Sequence, residues 1–157
     1  MPAMIDPPRL VHLVSQPAAT IRLTIARHEI SQVMGPAIGE LIACLTGQGL
    51  MHSGPVYSHH FRLDPEVFDF EVGVPYSGDF TPEGRVAAGS TPGGKAAMTT
   101  LHGPYDGLPE GWGEFHQRVL SEGWPLAGNF WETYAQGPES GTDPAQWRTE
   151  LYMGLVG

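Results

Sequence analysis

Basic residues are scarce. The 157-residue chain has one lysine, Lys95, and seven scattered arginines against 17 acidic residues, a net charge of −9. With no basic stripe, direct binding to a nucleic-acid backbone is not expected. The acidity suits solubility and cationic partners instead. Cysteine is nearly absent. Cys44 alone allows neither an intrachain disulfide nor a multi-cysteine zinc site, and near Leu41 and Leu45 it reads as a buried, inert thiol. The seven histidines show no metal-binding spacing. His59 and His60 are adjacent on a strand and point opposite ways, so neither a metal nor a cofactor is expected. Nucleophile-elbow and dinucleotide motifs are missing, and the glycines of Thr91–Lys95 are wrongly spaced for a phosphate loop. No run is read as reaching the ~18 apolar residues of a membrane span, and MPAMIDPPRL lacks a signal-peptide pattern. A cytoplasmic protein without a membrane partner is expected.

Glycine (21) and proline (15) are abundant, holding 36 positions together. This predicts many turns and short elements rather than a helical bundle. Hydrophobic residues make up 41% and charged residues 16%, enough apolar material for a packed core.

The pattern reads twice through. After a loose lead-in over 1–8, residues 10–15 form a short strand, 16–19 turn, and 20–27 form a second strand. Ser31 caps a helix that carries Ile38, Leu41, Ile42 and Leu45 and stops at Gly47 and Gly49. Strands at 56–61 and 68–74 follow, parted by a turn at 63–66. Residues 77–85 read as a linker. The second round has a strand at 86–89, a turn at 91–94, a strand at 95–101, and a helix with Leu108, Trp112, Phe115 and Val119 ending near Gly123. Strands at 130–135 and 149–155 flank a loop over 136–146. Matched positions are Pro17/Pro92, Gly49/Gly123, Gly54/Gly128 and Glu71/Glu150. The expectation is one α+β domain over 1–157. It is built from two βαββ repeats, about 8–76 and 85–156, forming an antiparallel sheet with both helices on one face and a ligand groove on the other.

Strand alternation then nominates groove residues. Leu151, Met153 and Leu155 are the packing set, so Glu150 and Tyr152 face the other way. Glu132 pairs with Tyr134, and Ser58 with His60. Glu71 lies opposite Phe70 and Val72. Tyr57 and Trp131 occupy equivalent positions, and Trp112 falls in the apolar helix stripe. Glu71, Glu132 and Glu150 among these aromatics would attract a small aromatic or cationic ligand.

The run Leu101-His102-Gly103-Pro104-Tyr105-Asp106-Gly107-Leu108, with Trp131-Glu132-Thr133-Tyr134 and Trp147-Arg148-Thr149-Glu150-Leu151-Tyr152, resembles the GyrI-like small-molecule-binding family, the effector-binding domain of bacterial transcription activators. Phe70-Glu71-Val72-Gly73-Val74-Pro75 is similar more loosely, and Gly73 stands in the place of Tyr152, His60 in that of Tyr134. The resemblance implies a pocket for lipophilic, often cationic aromatic compounds, lined by Tyr57, His60, Glu71, Trp112, Trp131, Tyr134 and Tyr152 around a key glutamate, either Glu150 or Glu132. It also implies a stand-alone form without a helix-turn-helix. Two further functions are implied. One is hydrolysis of cyclopropanoid electrophiles with Glu150 or Glu132 as the catalytic group. The other is a role toward a protein partner such as inhibition of gyrase.

Overall fold

The structure is a computed structural model and describes residues 5–62, 64–136 and 143–156. The elements run β1 (Arg9–Leu13), β2 (Pro17–Ala26), α1 (Ile30–Gly47), β3 (Met51–His52), β4 (Tyr57–His60), β5 (Val67–Ser77), β6 (Ala87–Ser90), β7 (Gly94–His102), α2 (Leu108–Glu122), β8 (Leu126–Gln136) and β9 (Arg148–Leu155). Short 3-10 turns precede both helices, at Arg27–Glu29 and Tyr105–Gly107. The fold is α+β, as expected, and the strands described pair antiparallel.

The chain divides into two compact units, Val14–Gly93 and Met1–Leu13 with Gly94–Gly157. In the contiguous unit, β5 pairs with β2 and β4, β2 also with β6, and β3 with the end of β5. Ile21 stands opposite Val72, and Arg22 opposite Glu71. One face is therefore apolar and the other polar. The apolar face, with Ala19, Ile21, Phe70, Val72 and Val74, takes Ala37, Leu41, Cys44 and Leu45 of α1. In the other unit, β9 pairs with β7 and β8, and β7 with β1. Phe115 and Val119 of α2 pack there on Ala97, Leu101, Leu151 and Leu155. Each buried Leu or Phe contributes ~1.5–3 kcal/mol, so each unit has a core of its own. As the sequence predicts, α2 ends at Gly123, which caps it at φ +73°.

Several expectations are corrected. The turn expected over 16–19 is mostly strand. Ala18 and Ala19 lie between Pro75 and Val74 on one side and Gly89 and Ala88 on the other. Both alanines are fully buried there. The first strands of the two repeats are not joined in hairpins to the strands that follow them. β1 pairs with β7, and β6 with β2. Alternation identifies a strand but carries no information about its partner. Ser31 does not cap α1. The helix begins one residue earlier, and the Glu29 carboxylate accepts from the Ala26 amide at 3.0 Å. Ile5 and Asp6, read as lead-in, are tied to β7 through an Ile5–Leu101 bridge and an Asp6 amide bond to the Thr100 carbonyl (3.1 Å). The stretch 77–85 is held to α1 by Arg85–Glu40 (2.8 Å) and by the Gln48 amide on the Thr81 carbonyl (2.7 Å). Residues 137–142, most of the expected 136–146 loop, and Leu63, in the expected 63–66 turn, lie outside the described residues. The 21-residue segment Arg27–Gly47 is long and apolar enough, by length and composition, to cross a membrane (mean hydropathy 1.2), contrary to the sequence reading. Its apolar stripe is packed on the sheet, as in a core helix.

Candidate functional site: a carboxylate in an aromatic shell

The nominated glutamates do not line one surface. In β8, Glu132 stands opposite Leu151 in β9, on the face that receives α2. Glu150 and Tyr152 point the other way, with Trp131, Met98 and Ala96. Glu71 lies on the polar face of the Val14–Gly93 unit, opposite Phe70 and Val72. The expectation that Glu132 and Glu150 share a groove is therefore overturned. Trp131 and Glu132 are neighbours on one strand and must face opposite ways.

The three carboxylates also differ electrostatically. Burial pushes the Glu71 carboxyl up, but the Arg22 guanidinium opposes the shift. Arg22 also pairs with Asp69 (2.8 Å) and lies 4.2 Å over the Phe61 ring. Glu150 accepts the Tyr152 hydroxyl at 3.1 Å. Glu132 is different. The residue keeps some solvent access, yet its carboxyl group is densely enclosed by protein, and desolvation pushes it above the usual carboxylate range. The Trp112 indole N–H donates to it at 3.0 Å, and so does the Tyr134 hydroxyl. These two bonds pull the other way but bring no charge. Among the described residues, no Lys, Arg or His nitrogen lies within ion-pair distance of it.

Aromatic rings surround this carboxyl. Trp112 packs edge-on to Phe130 (5.1 Å) and tilted to Phe115 (5.8 Å). Behind Tyr134 stands Tyr105, 5.8 Å away, which in turn meets Trp147 at 5.0 Å. Tyr105 and Trp147 escape a reading by periodicity, because one is in a 3-10 turn and the other precedes β9 without being in it. The His-Gly-Pro-Tyr run is the signal that points to Tyr105. Trp112, assigned to the helix stripe, is in that stripe and also bonds Glu132.

The remaining nominees fall elsewhere. His60 is corrected. It is buried, stacked on Phe70 (5.0 Å, 13°) and edge-on to Phe68, on the α1 face and not beside Glu71. Burial drops its pKa to about 4. Tyr57 is on Glu71's face, with its hydroxyl on the Ser90 carbonyl (3.2 Å) and its ring over Gly73, where a Cβ would overlap it. Burial and the nearby Glu71 charge push the Tyr57 phenol up. Trp131 stacks on Tyr152 at 5.1 Å and 9°. Tyr57 faces Gly73 as Trp131 faces Tyr152, so each position has a large ring on one strand, but only one has a ring opposite. No group of three metal-ligating side chains occurs among the described residues.

Among curated proteins, none matches the chain in sequence. The C-terminal domain of EcmrR superposes with a TM-score of 0.82 at 19% identity, over 95% of this chain and 96% of that one. Within a complex of EcmrR with DNA, the chain spans 56% of the EcmrR chain's length (TM-score 0.80, 19% identity, 95% of this chain). SAV2435 bound to tetraphenylphosphonium gives 0.70 at 15% identity, over 96% and 94%. A hydrolase encoded by lin2189 from Listeria innocua gives 0.64 at 14%, over 95% and 91%. At these identities the likeness is one of fold. The model of the GyrI-like small molecule binding domain matches residues 6–156, and the chain belongs to that family.

Proposed function

We propose that this chain binds a small lipophilic organic cation, with Glu132 supplying the charge and Trp112, Tyr134, Tyr105 and Trp147 supplying aromatic surface. The observation that carries the reading is the Glu132 carboxyl itself, enclosed by protein and aromatic rings, with two neutral donors and, among the described residues, no cation at ion-pair distance. A buried carboxylate without a counter-charge is costly. An incoming cation removes that cost while its hydrocarbon gains contact with the rings. Glu71 is partly compensated by Arg22, and Glu150 faces away from the shell.

Titration calorimetry with tetraphenylphosphonium tests this. Binding to the wild type and a loss of at least about tenfold in Glu132→Gln are expected, from the ~1.5–7 kcal/mol coupling of a close, desolvated charge pair. Glu150→Gln should retain affinity within about threefold, well under one 1.4 kcal/mol step. A larger effect of Glu150→Gln than of Glu132→Gln would overturn the assignment.

The Glu132–Tyr134 hydrogen bond supports a second reading. A carboxyl with an elevated pKa beside a phenol can move a proton during ring-opening hydrolysis of a cyclopropanoid electrophile. Product accumulating beyond one equivalent of protein would favour it; a single stoichiometric binding event would not.

A further inference from the structure

We propose that the Glu132 site exchanges a proton for its organic cation: the carboxyl gives up a proton as the cation enters and takes one back as it leaves. The inference rests on the reading that Glu132 is the cation's seat.

The hydrogen-bonding partners accommodate both states. The Trp112 N–H can only donate, and an acceptor oxygen remains on Glu132 whether the group is charged or neutral. The Tyr134 hydroxyl donates to the carboxylate and can accept from the acid. Neither state therefore strands a buried polar group. A pair of fixed donors such as a lysine and an arginine would instead have locked the group as an anion.

Among the described residues, no ion pair supplies the missing charge. On β8 the titratable neighbour is Tyr134. On the 3-10 turn it is Tyr105, behind the Tyr134 ring. From α2, Trp112 makes the contact; Glu114 of that helix pairs with Arg118 (3.5 Å), and neither Glu110 nor His116 forms an ion pair with Glu132. On β9, Leu151 faces Glu132 while Glu150 points away, and Arg148 makes no ion pair with it. Without a cation, burial pushes the Glu132 carboxyl above the usual carboxylate range and is opposed by two neutral hydrogen bonds, so the balance moves toward the acid form. A bound cation reverses that shift. By reciprocity, whatever a cation does to the carboxyl's proton affinity, the proton does to cation affinity.

Tetraphenylphosphonium is the appropriate probe because it has no titratable group, so any proton exchanged on binding belongs to the protein. Calorimetry in two buffers of different ionisation enthalpy, from about pH 5 to about pH 8, should show up to about one proton released per cation bound. Affinity should rise up to about tenfold per pH unit below the empty site's titration. The carboxyl carbon-13 resonance of Glu132 in the wild type should titrate lower with the cation present. Cation binding with no proton release and flat affinity overturns the exchange and leaves the binding reading intact. Proton release that persists in Glu132→Gln removes it from this residue. No binding at any pH removes the binding reading and the exchange with it.

Discussion

Trp112 in α2 and Glu132 in β8 are joined by an indole-to-carboxyl hydrogen bond of 3.0 Å that ties the helix to the sheet at a desolvated carboxyl group. Trp112→Phe keeps most of the ring and removes the donor. Unfolding free energy should fall by about 1–3 kcal/mol, the range for a buried acceptor losing a partner. The Glu132 carboxyl should also titrate higher, because a bond favouring the anion is gone. Urea denaturation and a carboxyl NMR titration read the two effects separately; an unchanged or lower titration would show that the bond does not tune Glu132.

Gly73→Ala is expected to destabilise the Val14–Gly93 unit by about 1–3 kcal/mol, the usual cost of overpacking. The added methyl meets the Tyr57 ring, which has no free direction because its hydroxyl is held at Ser90. The Tyr57→Leu, Gly73→Ala double variant should recover part of the loss relative to the sum of the single variants, as a double-mutant cycle by thermal melting would show.

His59 and His60 give the fold an acid weakness. Burial holds both rings neutral, with pKa values near about 4 against an unfolded value of about 6.5. Between those values the unfolded chain binds more protons than the folded one. Stability is therefore full above about pH 6.5 and declines as pH falls toward about 4, by on the order of 1–3 kcal/mol per ring. His60→Phe, which preserves stacking on Phe70, should flatten the stability–pH curve in that window. An unaltered slope would show that His60 contributes nothing to it.

Tyr105→Leu should weaken tetraphenylphosphonium binding by about 0.5–2 kcal/mol, the scale of one aromatic face toward a cation, with little change in unfolding midpoint. Quenching of tryptophan fluorescence on titration measures the affinity. Equal affinities in the two proteins would take Tyr105 out of the shell.

Most elements are legible in the sequence because burial imposes a period. TIRLTIA alternates cleanly, Leu108, Trp112, Phe115 and Val119 mark one helix stripe, and Gly123 ends it. The correspondence of Tyr57 with Trp131 reappears in the ladders, where they face Gly73 and Tyr152. The site is less legible. In β8 both Phe130 and Trp131 are aromatic, so alternation alone does not say which face meets the helix. The cross-strand partner Leu151 decides it, and register shifts along the β8–β9 ladder are invisible in a sequence. The Pro17/Pro92 match is also superseded. The ladders put Thr20 opposite Gly73 and Met98 opposite Tyr152, so Pro17 corresponds to Lys95. Tyr105 and Trp147 come together through tertiary packing.

The pairing of β1 with β7, rather than with the strand that follows it, bears on the order in which the chain can be completed during synthesis. Val14–Gly93 is one continuous stretch, and both strands that pair with β2, namely β5 and β6, have left the ribosome once Ser90 is made. The earlier-made β1 has to wait through that entire interval for its neighbour. The half that carries Glu132 therefore begins first and finishes last, closing only when Leu155 of β9, opposite Leu126 of β8, is in place.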